Sequence, residues 1–135
     1  MIPERVAAVL RTHGLCAIEF DAGSTATAEL AAQQLGVRVG QIAKSLVFLG
    51  KDGRYVMLMA PGDRKVSSAK LKALLGVKTR MSRPDETRAA TGFDAGGVCP
   101  FGIDGAIQVI VDIGLRRYPM IYPAAGTDSS GVPMT

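Results

Sequence analysis

Residues 43–61 read AKSLVFLGKDGRYVMLMAP, and this stretch decides the fold. Two apolar runs, Ala43 to Leu49 and Tyr55 to Ala60, flank the segment Gly50-Lys51-Asp52-Gly53. Two apolar runs joined by a short segment that ends in Asp-Gly are typical of a β-hairpin. The stretch therefore predicts two antiparallel strands, broken at Pro61-Gly62-Asp63.

Helices are predicted on both sides of the hairpin. Each combines strong helix formers or an apolar stripe with a glycine that can end the helix. The predicted helices are Pro3 to Thr12 before Gly14, Thr25 to Leu35 before Gly36, Ser67 or Ser68 to Gly76, and Ser82 to Gly92. Ser24 is the predicted N-cap of the second helix. Leu71, Leu74 and Leu75 are the predicted inward face of the third.

Further strands are predicted at Cys16 to Phe20, Ile107 to Ile113 and Met120 to Tyr122, and a helical turn at Leu115 to Arg117. The second of these strands is nearly all apolar, which predicts burial on both faces. Helices mixed with hairpin-linked strands favour an α+β fold with a mixed sheet. No repeat or linker divides the chain, so residues 1–135 are predicted to form a single domain.

The composition is that of a globular protein, with 47% hydrophobic and 21% charged residues. No apolar run reaches the roughly 18 residues of a membrane span, and Glu4 and Arg5 stand where a signal peptide would need apolar residues. Cys16 and Cys99 lie far apart and His13 is the only histidine, so the ligand spacing of a zinc site is absent. We expect a cytoplasmic protein that binds no metal, no cofactor and no membrane.

Positive charge is concentrated in the middle of the chain. Residues 38–88 contain twelve Lys or Arg and four Asp or Glu, whereas the remaining residues contain four and eight. Such a segment attracts a polyanion, although a solvated lysine-rich surface has the same composition. The candidate phosphate contacts are Arg64, Lys65, Lys70 and Lys72.

Lys44 stands near the start of an otherwise apolar predicted strand. Side chains of a strand alternate between its two faces, so Lys44 shares a face with Leu46 and Phe48. An ammonium group on an apolar face is costly unless it lies beside a cleft or an anion. The alternative is a lysine at the solvent-exposed end of the strand, with its ammonium group in water. The pattern alone leaves both interpretations open.

The segment DAGGVCPFG, residues 94–102, is the second candidate for a functional element. Its three glycines and Pro100 permit a rigid turn that directs several N–H groups to one point, as in an oxyanion or anion pocket. The alternative is an ordinary tight connection. Cys99 adds the hypothesis of a thiol nucleophile, but nothing in the sequence brings His13 to it as a base.

In chain order, several segments together resemble the YbaK/prolyl-tRNA synthetase editing-domain family. They are TAELAA (27–32), LGV (35–37), QIAKSLVF (41–48), GDRKV (62–66) and GGVCPFG (96–102). The resemblance covers roughly residues 15–126. It implies a curved, barrel-like mixed sheet flanked by helices, and an enzyme that deacylates mischarged tRNA, often tRNA(Pro) carrying Cys or Ala. It also implies that the partners are mischarged tRNA and prolyl-tRNA synthetase.

The resemblance also assigns roles to residues. Lys44 matches the functional lysine of the family, and residues 96–100 match its G-x-x-x-P loop. The implied catalytic residues are Lys44, Gly96, Gly97, Val98 and Cys99, with loop amides from Gly97 to Cys99 as oxyanion donors. The implied substrate-binding residues are Phe20, Ser45, Pro100 and Phe101. Cys99 stands where relatives often have Ser or Thr, so it is expected to influence which amino acid is accepted.

The end of the chain departs from the family. The family carries a further C-terminal strand and helix that residues 127–135 do not match, so we expect those elements to be missing from this chain.

Other functions also fit the residues: a non-catalytic aminoacyl-tRNA or amino-acid binding module of the same fold, a thiol enzyme centred on Cys99, and a general RNA-binding domain. The last requires exposed aromatic side chains, and the chain has only four Phe, three Tyr and no Trp.

Overall fold

The computed structural model describes residues 1–103 and 105–135. The helices are α1 (Glu4–Thr12), α2 (Ala28–Leu35), α3 (Ser68–Leu75) and α4 (Pro84–Thr91). The strands are β1 (Ile18–Glu19), β2 (Ala43–Gly50), β3 (Tyr55–Pro61), β4 (Thr79–Met81), β5 (Gln108–Val111) and β6 (Ser130–Gly131). Two 3₁₀ turns cover Val39–Gln41 and Ile113–Arg117. None of the described helices is long and apolar enough to cross a membrane.

The main sheet has four strands in the order β4-β2-β3-β5. The predicted hairpin is confirmed: β2 pairs antiparallel with β3, from Ala43 opposite Pro61 to Leu49 opposite Tyr55. Since β4 is antiparallel to β2 and β5 is parallel to β3, the sheet is mixed, as predicted. Strands β1 and β6 form a separate antiparallel pair. The α+β prediction is therefore confirmed, with an open sheet rather than a closed barrel.

The two faces of the main sheet pack against different layers. On one face Phe48 and Leu58 pack with Leu71 of α3 in a buried cluster. On the other face, Val47 and Met57 belong to the largest cluster. That cluster also contains Val6 and Leu10 of α1 and the buried residues Phe93, Val98, Cys99 and Phe101. Because side chains alternate along β2, Lys44 lies on the α3 face, as its position in the sequence predicts.

Helix ends follow the predicted pattern more closely than helix starts. Helices α2, α3 and α4 each end at a glycine in the left-handed region, with φ of 69° at Gly36 and 78° at Gly76 and Gly92. The prediction of Ser24 as the α2 N-cap is wrong. The Thr27 hydroxyl accepts the Leu30 N–H at 3.2 Å, so the helix starts at residue 28 and residues 24–26 form the preceding turns.

Two burial predictions are wrong. The strand predicted at residues 107–113 is shorter and lies at the edge of the sheet, where Val111 is 59% exposed. An apolar run predicts a strand covered on both faces, but β5 is the edge strand, and Leu115 and Ile121 cover its neighbour Met59 while leaving Val111 exposed. On α3, Leu71 is buried whereas Leu74 is 64% exposed, because the helix is short and only one residue per turn reaches the sheet.

The remaining strand predictions are partly correct. The strand predicted at residues 16–20 is reduced to the two residues of β1. The strand predicted at residues 120–122 is replaced by two isolated bridges, Ile42 with Tyr122 and Ile121 with Met134. These bridges bring the C-terminal segment beside the start of β2, which places it next to the cavity described below.

Candidate functional site

A cavity of about 200 Å³ opens beside the first half of β2. Strand β4 pairs with residues 48–50 of β2, and the bond between Ala43 and Tyr122 lies at the start of β2, so the edge around Ser45 is left open on this side. The start of α2, the loop after α4 and the C-terminal segment surround the opening. The lining residues used below are Thr25, Thr27, Lys44, Ser45, Gly96, Val98 and Ser130. Much of the remaining wall consists of alanines, namely Ala26, Ala28, Ala31, Ala43, Ala95 and Ala124.

Lys44 lies at the rim of this cavity. Its Nζ donates a hydrogen bond of 2.6 Å to the carbonyl oxygen of Arg64. An ammonium group has three donors, so two remain for a ligand. The loop that presents Arg64 is fixed by an ion pair in which Arg117 Nη2 lies 2.9 Å from Asp63 Oδ1. That hydrogen bond lowers the pKa of Asp63 below its ordinary value.

The first half of the glycine loop forms the opposite wall. Gly96 and Gly97 pack closely on the C-terminal segment: a Cβ on Gly97 would lie 2.7 Å from backbone atoms of Thr127. Only glycine allows this approach, and it holds Gly96 and Val98 at the cavity. The Gly97 N–H donates to the Asp94 carbonyl at 2.9 Å. The N–H groups of Gly96 and Val98 have no hydrogen-bond partner among the described residues.

The second half of the loop belongs to the core rather than to the cavity. Cys99 is fully buried and Phe101 nearly so, both in the cluster formed with α1. The Cys99 Sγ lies 3.8 Å from the Phe101 carbonyl oxygen. Burial raises the pKa of the Cys99 thiol to about 11. Neither residue lines the cavity, nor does Pro100 between them.

The other residues singled out from the sequence lie outside the cavity. Phe20 is half-buried, and its N–H donates to the Ser129 carbonyl at 2.8 Å. Arg64, Lys65 and Lys70 line an open groove of about 380 Å³ between α3 and β5. Lys72 is exposed on α3 but does not line this groove.

Two threonines and one serine of the cavity wall were missed from the sequence. The Thr25 Oγ1 accepts the Ser130 N–H at 3.0 Å, and both residues are buried. Thr27, the α2 N-cap, completes the group. The segments STAT (24–27) and TDSS (127–130) are visibly rich in Ser and Thr, but no fixed spacing links them, because only the paired strands β1 and β6 bring them together.

Ser45 is the polar residue of the cavity with an unsatisfied side chain. Its Oγ is buried and has no hydrogen-bond partner among the described residues. Buried hydroxyls are normally paired, so an unpaired one beside a cavity points to a ligand or a water. No group of three or more His, Cys, Asp or Glu that could hold a metal ion is found in residues 1–103 and 105–135.

Comparison with known proteins agrees with this geometry. The sequence model of a family described as the aminoacyl-tRNA editing domain matches residues 22–135. The chain belongs to this editing-domain family. The resemblance to YbaK and prolyl-tRNA synthetase editing domains is thereby confirmed. Helix α1 precedes the matched residues, so its contacts with the glycine loop lie outside what the family model covers.

Individual relatives of this editing domain include freestanding and inserted forms. An uncharacterized protein, YwhH of Bacillus subtilis (strain 168), is 39% identical over 117 residues, which are 87% of this chain and 74% of that protein. The proline–tRNA ligase of Thermosipho melanesiensis is 40% identical over 91 residues, but these are only 16% of the ligase. The same domain thus occurs within a much larger synthetase.

Solved structures show the same fold. A crystal structure of a protein presented as a candidate trans-editing enzyme for prolyl tRNA synthetase superimposes with a TM-score of 0.88 at 38% identity, covering 98% of this chain and 85% of that one. The crystal structure of a hypothetical protein superimposes with a TM-score of 0.89 at 26% identity.

Proposed function

We propose that this editing domain hydrolyses, in trans, the ester of a mischarged tRNA of the tRNA(Pro) type. The observation that carries the proposal is the cavity that Lys44 shares with the first half of the glycine loop. A cationic side chain and a loop with unpaired backbone N–H groups border one alanine-rich space, which suits a small aminoacyl group beside a developing negative charge. The family, the trans-editing neighbour and the ligase relatives support the same activity.

The chemistry is addition of water to the ester carbonyl. Negative charge develops on the carbonyl oxygen, and the bond to the ribose oxygen of the terminal adenosine then breaks, giving free amino acid and tRNA. The N–H groups of Gly96 and Val98 are the available oxyanion donors, since the Gly97 N–H is already bonded to Asp94. The loss of one such donor costs typically about 2.7–4 kcal/mol of transition-state stabilisation.

Proton transfer in this mechanism depends on the substrate. No Asp, Glu or His is among the described residues that line the cavity. The Cys99 thiol is buried and protonated near neutral pH, so it cannot act as nucleophile or base there. We assign the proton of the attacking water to the neighbouring ribose hydroxyl, which passes a proton to the leaving oxygen. Lys44 supplies positive charge to the carbonyl or to the terminal phosphate.

The test is a deacylation screen across tRNAs mischarged with different amino acids, using the purified chain in catalytic amounts. We expect multiple turnovers on tRNA(Pro) carrying a small amino acid and none on correctly charged prolyl-tRNA. We also expect the protein to act in the cytoplasm, on tRNA released by prolyl-tRNA synthetase. Saturable binding of mischarged tRNA with no release of amino acid from any of them would instead identify a non-catalytic binding module of the same fold.

A further inference from the structure

The outer hydrogen-bond ladder of β2 has a gap at Ser45. Two residues before it, the Ala43 N–H donates to the Tyr122 carbonyl at 3.2 Å. Two residues after it, the Val47 carbonyl accepts the Ser82 N–H at 2.9 Å. Ser45 lies between these two contacts, and neither the C-terminal segment nor β4 pairs with it. The open cavity occupies this interval.

The backbone groups of Ser45 face the gap. In an antiparallel pair, residues alternate between those bonded to the partner strand and those directed away from it. Ile42 is directed toward β3, because its carbonyl accepts the Gly62 N–H at 2.8 Å. The odd-numbered residues of β2 therefore face outward, as Ala43 and Val47 do. None of the described residues pairs with the outward N–H and C=O of Ser45, and its buried hydroxyl is also unpaired.

We infer that Ser45 binds the aminoacyl group as one further residue of this ladder. An α-aminoacyl ester has the same order of amine, α-carbon and carbonyl as a residue in a strand. Opposite Ser45, its carbonyl oxygen accepts the Ser45 N–H while its α-amino group donates to the Ser45 carbonyl, as in a hydrogen-bonded antiparallel pair. This inference rests on the proposed function and adds the recognition element: the α-amino group of the substrate.

The Ser45 N–H then has a second role. It points at the ester carbonyl oxygen, where negative charge develops during hydrolysis, and so joins the donors of the glycine loop. The hydroxyl of Ser45 remains available to a polar group of the substrate. The Ser45 carbonyl therefore binds the α-amino group of the substrate, and the Ser45 N–H binds its reacting carbonyl. The side chain of the substrate then packs against the alanine-rich wall.

Binding of an unreactive substrate analogue tests this directly. We would titrate the ¹⁵N-labelled chain of residues 1–135 with 3′-alanylamino-3′-deoxyadenosine, whose amide cannot be hydrolysed as an ester, and with 3′-propionylamino-3′-deoxyadenosine, which lacks the α-amino group. The expected result is a large shift of the Ser45 amide resonance with the alanyl analogue, and binding at least about tenfold weaker for the propionyl analogue. Cavity resonances that shift without Ser45, equal binding of both analogues, or no shift at millimolar analogue would overturn the inference.

Kinetics on tRNA provide the second readout. Propionyl-tRNA(Pro), in which hydrogen replaces the α-amino group, should react roughly 100-fold more slowly than alanyl-tRNA(Pro), because a site that pairs with a polar group rejects a substrate lacking that group. Ser45→Pro removes an N–H that makes no ladder bond, and should lower kcat while leaving the melting temperature near that of Ser45→Ala. Equal kcat for the two variants would contradict the inference. Absence of turnover by wild type would refute the deacylase alone, since the analogue titration does not depend on it.

Discussion

Cys99 marks the boundary between the two halves of the glycine loop. Its side chain packs in the core beside Val6 and Phe93, while Val98, one residue earlier, reaches the cavity. Burial raises the pKa of the Cys99 thiol to about 11, and the opposing effects of the Phe101 backbone and of Arg5 do not offset it. The side chain of Cys99 therefore anchors the loop in the core.

The raised pKa of Cys99 predicts a pH dependence of stability. Below the ordinary thiol pKa of 9.0 both states are protonated. Between pH 9 and 11 only the unfolded chain ionises, so the free energy of unfolding should fall, by about 2–3 kcal/mol in total. Urea unfolding across this range should show the loss in wild type and in Cys16→Ala, whose thiol is exposed. Cys99→Ala should start less stable and fall less steeply. Parallel curves for the two alanine variants would contradict the assignment.

Residue patterns in the sequence predict some features of the site but not others. The alternation of side chains along β2 is sufficient to place Lys44 on the face of Leu46 and Phe48. The gap at Ser45 is different, because it depends on where β4 ends and where the C-terminal segment arrives. Both positions are set by tertiary contacts, which leave no local pattern in the sequence. The same reason hides Thr25 and Ser130, which are 105 residues apart and meet through β1 and β6.

At the scale of elements, the site loop is held at both ends by helix α1. Arg5 Nη2 donates to the Thr91 carbonyl at 2.7 Å and Nη1 to the Gly102 carbonyl at 2.8 Å. The guanidinium also lies 4.1 Å from the centroid of the Phe93 ring. One planar side chain thus bridges the two ends of the loop that carries Gly96 and Val98.

Replacement of Arg5 should loosen the loop more than the fold. We expect Arg5→Met to lower the free energy of unfolding by roughly 1.5–3 kcal/mol, the range for hydrogen bonds made by charged groups. Hydrogen exchange should accelerate in residues 93–102 and remain unchanged in the β2–β3 hairpin. Arg11→Met is the matched control, since Arg11 lies on the same helix and makes only an exposed ion pair with Glu4. Equal exchange in both variants would show that Arg5 does not order the loop.

The elements themselves were predictable to different degrees. The ends of α2, α3 and α4 were predictable, because each helix is followed by a C-cap glycine: Gly36, Gly76 and Gly92. The edge position of β5 has no such signal, because an apolar run looks the same whether a neighbouring layer covers it or not. The shortening of β1 likewise depends on its partner among the described strands, β6, which is two residues long.

At the scale of the whole molecule, the cavity and the basic groove share one loop. Lys44 at the cavity rim is bonded to the backbone of Arg64, and Arg64 lines the groove with Lys65 and Lys70. The ion pair of Asp63 with Arg117 fixes that loop to the turn that follows β5. A single-stranded tRNA end that leaves the cavity past Lys44 would therefore meet these three cations in succession, and its phosphates would be bound there.

The groove predicts a salt-dependent contribution to tRNA affinity. Each phosphate contact steepens the fall of log K with log [salt] by somewhat less than one unit. We expect Lys65→Ala and Lys70→Ala each to weaken tRNA binding and to reduce this slope by about 1. Lys51→Ala, in the turn of the β2–β3 hairpin, is the control and should leave the slope unchanged. Identical slopes for all three variants would place the tRNA on another surface.

In the proposed mechanism, Lys44 and the glycine loop form one hydrolytic site. The most direct measurement is the single-turnover rate of amino-acid release from mischarged tRNA(Pro) by wild type, Lys44→Ala and the control Lys51→Ala at saturating protein. We predict a rate roughly 100-fold or more lower for Lys44→Ala, the usual cost of one lost transition-state donor, with Lys51→Ala equal to wild type. Equal rates for Lys44→Ala and wild type would show that Lys44 takes no part in hydrolysis.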